Sequence, residues 1–215
     1  MSGAPMPATT IAKLKTSRQW CADALSLRTE QRQHGGMTES RSSWLLGGAV
    51  AIGAAVSVAL GAYGRMHDPT FESITAFGFS TLYEMKAWLA AVAAALAFVQ
   101  LLTALRIYGR IGGGDASRAT TITHRASGAL AVLVTLPVAY HCLWSLGFQT
   151  YSNRVLVHSL LGCLFYGVFV AKMLSLQLKG IPRWAIPVLG GATFTVLIGV
   201  AATSSLWYFT NGSPG

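Results

Sequence analysis

Five long apolar runs, separated by short polar gaps, dominate the chain from Trp44 onward. Each run has about the twenty residues that a helix needs to cross roughly 30 Å of hydrocarbon. None alternates between apolar and polar positions with the period of two that is typical of a barrel strand. The pattern therefore predicts an all-α fold, an integral membrane helical bundle with five transmembrane helices near residues 44–64, 84–107, 121–146, 154–177 and 183–209.

The segments outside the transmembrane domain of residues 44–209 are polar. Residues 1–43 are basic and contain no apolar run long enough for a signal peptide, so we expect a disordered cytoplasmic tail. Met37 opens the stretch MTESRSSWLLGG, a natural beginning for a membrane protein, and residues 1–36 are interpreted as a start-site extension or leader. An amphipathic helix over residues 10–27, lying on an anionic membrane, is the competing interpretation. Residues 210–215 are expected to form a short outer tail.

The charged residues are few and unevenly placed. They make up 11% of the chain, and 16 Lys and Arg against 7 Asp and Glu give a net charge of +9. In a soluble protein this excess would suggest a nucleic-acid partner. Here the cations lie in the tail and in two gaps, which favours the lipid bilayer as partner and no nucleic acid. By the positive-inside rule we expect a bacterial cell membrane with the N-terminus in the cytoplasm and the C-terminus outside; the gap cations are Arg106, Arg110, Arg118, Lys179 and Arg183.

Ionisable groups within a span are costly and are the first place to look for function. His141 lies about five residues before the outer end of the third span, and His158 about four residues after the outer start of the fourth. Two imidazoles at matching depth on adjacent antiparallel helices predict the axial ligands of one bis-histidine haem b near the outer leaflet. The alternative is that each histidine is a hydrogen-bonded interior residue that ties helices together without a cofactor.

Other metal sites fit this pair less well. A zinc site needs three or four ligands, and Cys142 points about 100° around the helix from His141. Non-haem iron or copper would require carboxylates or further soft ligands, and no acidic residue lies in the last three spans. The chain also lacks the Cys-x-x-Cys-His motif of covalently bound haem.

Two cations at the outer side suit the acidic edge of a haem. Lys86 and Arg154, at the outer starts of the second and fourth spans, are candidate partners for the haem propionates. Glu84 either pairs with Lys86 or accepts a proton in a quinol pocket.

His124 belongs to the opposite, cytoplasmic side of the third span and cannot share the outer haem. It is a candidate ligand of a second, inner haem, for which Met173 is the level partner on the fourth span. Arg125 and Lys172 could equally bind lipid phosphate or extend to the interface.

The segments THRASGALAVLVTLPVAYHCLWSLGF and NRVLVHSLLGCLFYGVFVAKM resemble a small family of bacterial multi-span membrane proteins of unknown function, over residues 40–209. Their layout is also similar, in part, to membrane b-type cytochromes of the ferric-reductase-like class. In that class a His-Arg near the start of one span, a later histidine in it and a histidine on the next span ligate haem. The four-histidine form spaces its ligands by about fourteen residues, where this chain has Ser127 and Lys172, so the resemblance implies one haem.

The expected function is that of a b-type cytochrome subunit. It would carry electrons through one haem between a membrane donor such as quinol and a redox partner such as an iron–sulfur protein. The chain contains no flavin or nicotinamide domain, which favours an electron-transfer subunit over a complete enzyme. A cofactor-free structural or assembly subunit of a membrane complex is the alternative.

Overall fold

The helices of the protein match the five predicted spans. The structure, a computed structural model, describes residues 43–72, 75–113 and 115–212. Within these ranges, five helices are long and apolar enough to cross a membrane, and every end lies within three residues of its predicted position. The prediction of an all-α, multi-pass membrane protein in contact with lipid is confirmed. The helices are α1 (Ser43–Met66), α2 (Leu82–Ile107), α3 (Arg118–Leu146), α4 (Asn153–Gln177) and α5 (Ala185–Asn211).

The two predicted tails have different outcomes. Apart from Ser43, the predicted basic tail and the leader within it lie outside the described residues. The predicted C-terminal tail begins later than residue 210, because Thr210 and Asn211 continue α5. The Thr210 hydroxyl donates to the Leu206 carbonyl at 2.9 Å, which is a bond within the helix.

The two ends of the bundle differ in charge. At one end, here called the basic end, the α2–α3 and α4–α5 connections carry the gap cations predicted above. At the other end, here called the cavity end, lie the α1–α2 and α3–α4 connections. Helices α2 and α4 begin there with hydroxyl caps, because the side chains of Thr81 and Ser152 accept hydrogen bonds from the first-turn amides of Glu84 and Val155 (3.0 and 3.3 Å).

Helix α1 joins the bundle through a close crossing with α4. Gly53 and Gly167 face each other there, and a Cβ atom added to Gly53 would lie 2.8 Å from the Cβ of Ala171. In a membrane the helices gain no hydrophobic free energy by meeting, so small residues that permit close backbone contact provide the van der Waals packing. A side chain at either glycine would force the two helices apart.

The other four helices surround a common interior. Helix α2 packs along α3 and α5, and α4 packs along α5, whereas the backbones of α3 and α4 approach each other at few points. The Tyr166 hydroxyl spans this gap and donates to Thr135, with its Oγ1 at 3.0 Å and its carbonyl at 3.1 Å. The middle of the interior is filled by the apolar cluster of Ala93, Ala97, Phe165, Val196 and Leu197. Toward the cavity end this packing stops and an open space begins.

Two helices widen at the cavity end. The last turn of α3, His141–Leu146, and the segment Ala202–Leu206 of α5 are both π-helical. Helix α3 contains Pro137 one turn earlier, and it stops at Gly147, whose φ of 68° suits a residue without a Cβ atom. Short π-helical turns often accompany functional sites, since they re-aim the side chains that follow.

Candidate cofactor-binding cavity

A cavity of about 500 Å³ opens between the helices at the cavity end. Its volume lies within the roughly 300–1,000 Å³ of pockets that hold cofactors and small molecules. Most of its wall is apolar, and Phe165 and Tyr166 belong to that wall. Among the described residues no Asp or Glu lines it; the polar side chains on its wall include Lys86, Cys142, Gln149, Arg154, His158 and Ser159.

His158 faces this cavity in a fixed orientation. Its Nδ1 lies 3.0 Å from Thr203 Oγ1, and the Thr203 hydroxyl itself donates to the Gly199 carbonyl at 2.9 Å. Because the threonine proton is engaged within α5, we infer that the imidazole donates its Nδ1 proton to Thr203. The Nε2 lone pair is then left for the cavity, whose wall on the α3 side includes Cys142. A histidine held in this way is prepared to bind a metal.

His141 does not line the cavity, although it is only 1% exposed. Its Nδ1 donates to the Pro137 carbonyl at 2.8 Å, and its Nε2 is buried without a hydrogen-bond partner among the described residues. Ser145, one turn later on the same face, donates through its hydroxyl to the Glu72 carbonyl and accepts at its own carbonyl from the Phe71 amide. The face of α3 that carries His141 therefore packs under the α1–α2 connection.

The cavity-facing residues of α3 explain this placement. Thr135, Val138, Cys142 and Leu146 line the cavity and recur every three to four residues. They form one face of the helix, and a neighbouring residue is rotated from it by about 100°. His141 is offset from Cys142 by that rotation. Of the four residues predicted to hold haem, the structure brings Lys86, Arg154 and His158 to one cavity and leaves His141 beside it.

Two cations give the cavity a positive charge. Lys86 is only 9% exposed, and within the described chain its ammonium makes no hydrogen bond or ion pair; its Nζ lies 4.8 Å from the centre of the Tyr83 ring. The Arg154 guanidinium lies 3.8 Å from the centre of the Trp207 ring and donates to the Thr203 carbonyl at 2.7 Å. Because Lys86 lines the cavity and has no acidic partner in the described chain, it is placed to pair with an acidic group of a ligand.

Glu84 takes neither of its predicted roles in the described residues. Its carboxylate accepts hydrogen bonds from the amide and the hydroxyl of Ser80, so it helps to cap α2. It does not line the cavity, and Lys86 is not its ion-pair partner.

Sequence reasoning missed two residues of the site. Cys142 was considered only as a poorly oriented zinc ligand, and Thr203 was not considered at all. Thr203 lies 45 residues from His158, and no local pattern connects the two. The side of α3 on which Cys142 lies could have been related to His124 from the sequence. Cys142 follows His124 by 18 residues, or five full turns, so the two residues lie on the same side of the helix.

At the basic end, His124 is connected to α2. Its Nδ1 lies 2.8 Å from Thr103 Oγ1. Met173, the predicted partner for an inner haem, is 41% exposed on α4. The exposed position of Met173 does not favour a haem between His124 and Met173.

The whole bundle matches a known family. A family model described as a family of unknown function (DUF6529) matches residues 46–214. The chain belongs to DUF6529. The DUF6529 match runs through all five helices and includes the cavity, so the bundle forms a single family unit. No curated protein and no solved structure matches the chain. The predicted membership of a multi-span family of unknown function is confirmed, whereas the resemblance to b-type cytochromes stays a prediction.

Proposed function

We propose that the protein is a b-type cytochrome subunit that holds one haem in the cavity between α2, α3, α4 and α5. The observation that supports this most directly is the environment of His158. Its Nδ1 is engaged by Thr203, its Nε2 faces a largely apolar cavity, and two cations line the same wall. A haem site requires an axial ligand, an apolar surface for the porphyrin faces and partners for the two propionates.

The described residues fit a haem well on the α4 side. His158 would bind the iron, and Lys86 and Arg154 would pair with the propionates. On the α3 side we retain His141 as the second ligand, since its Nε2 is buried and has no partner in the described chain. The His141 side chain reaches the cavity only if the π-helical end of α3 rotates about the helix axis by one residue position, which is roughly 100°.

A bound haem would exchange one electron at a time with its partners. The cavity lies at the end opposite the gap cations, so a partner protein at that end, such as an iron–sulfur protein, could approach the haem closely. A quinol dissolved in the bilayer is the proposed donor. The protein would then act as an electron-transfer subunit.

The gap cations support an orientation in a bacterial plasma membrane. All five lie at the basic end, which the positive-inside rule assigns to the cytoplasm. The N-terminus would then be cytoplasmic, and the cavity and the C-terminus would face outward. We expect a phosphatase that is active only outside the membrane to be active when fused after Asn211. Activity only in a fusion within the α4–α5 connection would reverse the assignment.

An absorption spectrum tests the haem proposal. We expect detergent-purified protein, expressed with adequate iron and haem supply, to show a Soret band and, after reduction with dithionite, the sharp α and β bands of a low-spin haem. A pyridine haemochrome assay should count about one haem b per chain. A spectrum with no Soret band, which haemin added to the purified protein does not restore, would exclude the proposal.

The alternative is a cofactor-free structural or assembly subunit. One observation favours it, because the Nδ1 atoms of His124, His141 and His158 all have partners inside the bundle. Histidines that only connect helices need such partners. The cation of Lys86, which lines the cavity and has no ion-pair partner in the described chain, has no role in this alternative, and we therefore prefer the haem.

A further inference from the structure

Helix α5 supplies none of the residues predicted to hold haem, yet its π-helical segment Ala202–Leu206 packs against two of the helices that do, α2 and α4. On one side, the Arg154 guanidinium of α4 donates to the Thr203 carbonyl at 2.7 Å. On the other side, the buried Ser205 hydroxyl donates to the carbonyl of Ala87 on α2, also at 2.7 Å. These bonds fix the π-helical segment between α2 and α4.

The Thr203 hydroxyl is directed from this segment toward α4. Its oxygen lies 2.9 and 3.0 Å from the carbonyl oxygens of Gly199 and Val200, and 3.0 Å from His158 Nδ1. Carbonyl oxygens can only accept, so the single hydroxyl proton belongs to them and the hydroxyl oxygen keeps a lone pair for the imidazole. Two carbonyls at this distance therefore favour donation from His158 Nδ1 to Thr203.

The tautomer of His158 decides whether its other ring nitrogen can bind iron. A neutral imidazole has one protonated nitrogen and one with a lone pair. With the proton on Nδ1, the Nε2 lone pair is available to the cavity that His158 lines, whereas a proton on Nε2 would block it. An acceptor beside Nδ1 also makes the imidazole more basic, and such a bond is one of the means by which a protein sets a haem potential.

We propose that Thr203 is a positioning residue whose hydroxyl selects the iron-binding tautomer of His158 and lowers the reduction potential of the bound haem. The part that concerns the haem rests on the proposed function, whereas the tautomer of His158 does not. Valine has nearly the shape of threonine and keeps the carbonyl that Arg154 contacts. Thr203→Val therefore removes the hydroxyl alone.

Nitrogen-15 NMR of the haem-free protein, labelled in its histidine side chains, tests the tautomer. At about pH 8 an ordinary imidazole is neutral, and its protonated and unprotonated nitrogens give separate signals. The signals of His158 are those that disappear in His158→Ala. We expect the wild type to carry the proton on Nδ1 and Thr203→Val to lose this preference. A proton on Nε2 in the wild type would overturn the proposal without the use of any Thr203 variant, and so would an unchanged tautomer in Thr203→Val.

Titration with haemin and a redox titration measure the effect on the haem. Thr203→Val should raise the Kd for haemin roughly 10- to 100-fold, the usual cost of removing the hydrogen-bond partner of a metal ligand. It should also raise the reduction potential, because a less basic imidazole stabilises ferric iron less. Thr203→Ser keeps the hydroxyl and should keep both values close to those of the wild type.

A matched control lies on the same helix. Thr210→Val removes an exposed hydroxyl that donates only to carbonyls of α5, and it should change neither the Kd nor the potential. If Thr203→Val kept the wild-type affinity and potential, Thr203 would have no positioning role.

The two measurements also separate this proposal from the proposed function. A wild-type protein that binds no haemin would exclude the cytochrome function, and the NMR result would still decide whether Thr203 selects the tautomer. A protein that binds haem equally well with Thr203 or valine at this position would exclude only the role of Thr203.

Discussion

Replacing His158 with alanine is expected to remove the Soret band of the purified protein almost completely. His158 is the one histidine on the cavity wall, as far as the chain is described, and Thr203 holds its ring with Nε2 toward that cavity. Alanine removes the iron ligand and leaves the cations and the apolar wall in place. Absorption spectra at equal protein concentration, together with a pyridine haemochrome count, measure the loss.

The residues next to this ligand provide the controls. Cys142→Ala, which changes the cavity wall on the α3 side without removing an imidazole, should retain the low-spin spectrum. His141→Ala should lose it if His141 is the second ligand. A retained, wild-type spectrum in His158→Ala would refute the cavity site. A spectrum lost in Cys142→Ala but retained in His141→Ala would keep the cavity and move the second ligand to the thiol.

The sequence was sufficient for the architecture because each helix is specified locally. An apolar run of the right length predicts a span wherever its neighbours lie, and every predicted end falls within three residues of the observed one. The sequence also selected Lys86, Arg154 and His158, since charged or titratable groups near span ends are few. Depth along a helix follows from counting residues, and here the counting succeeded.

The direction of a side chain around the helix axis could not be predicted in the same way. His141 and His158 share a depth, but the interior face of α3 is set by its packing along α2, and that face presents Cys142. The π-helical turn that begins at His141 changes the residue count per turn, and no sequence signal marked it beyond Pro137. Thr203, which orients His158, comes from a helix 45 residues away. Such contacts depend on how the helices assemble.

The three intramembrane histidines share an arrangement that only the structure reveals. Each directs Nδ1 to an oxygen of the bundle, from Thr103, Pro137 or Thr203. In each case Nε2 makes no hydrogen bond to an oxygen or nitrogen atom of the described residues, and for His141 it is fully buried. Histidines with one orienting bond and one unused nitrogen are suited to bind metals or ligand protons.

Replacing Lys86 with methionine is expected to have opposite effects on stability and on haem binding. In the protein without haem, Lys86 is 9% exposed as a whole residue and has no acidic partner in the described residues. Methionine has a similar length and no charge, so it removes the cost of partly desolvating that charge. We expect the free energy of unfolding of the haem-free protein to rise by about 1–3 kcal/mol, measured in detergent by denaturant titration.

The same substitution should weaken the binding of haemin by at least about tenfold, because a propionate loses its charged partner. Lys86→Arg keeps a cation at this position and should bind haemin within a few-fold of wild type, whereas Lys179→Met should change neither quantity. A gain in stability combined with a loss of affinity is typical of a residue retained for a ligand at the expense of the fold. If Lys86→Met destabilised the haem-free protein and bound haemin normally, the lysine would be a structural residue, and the charge of the cavity would no longer support an acidic cofactor.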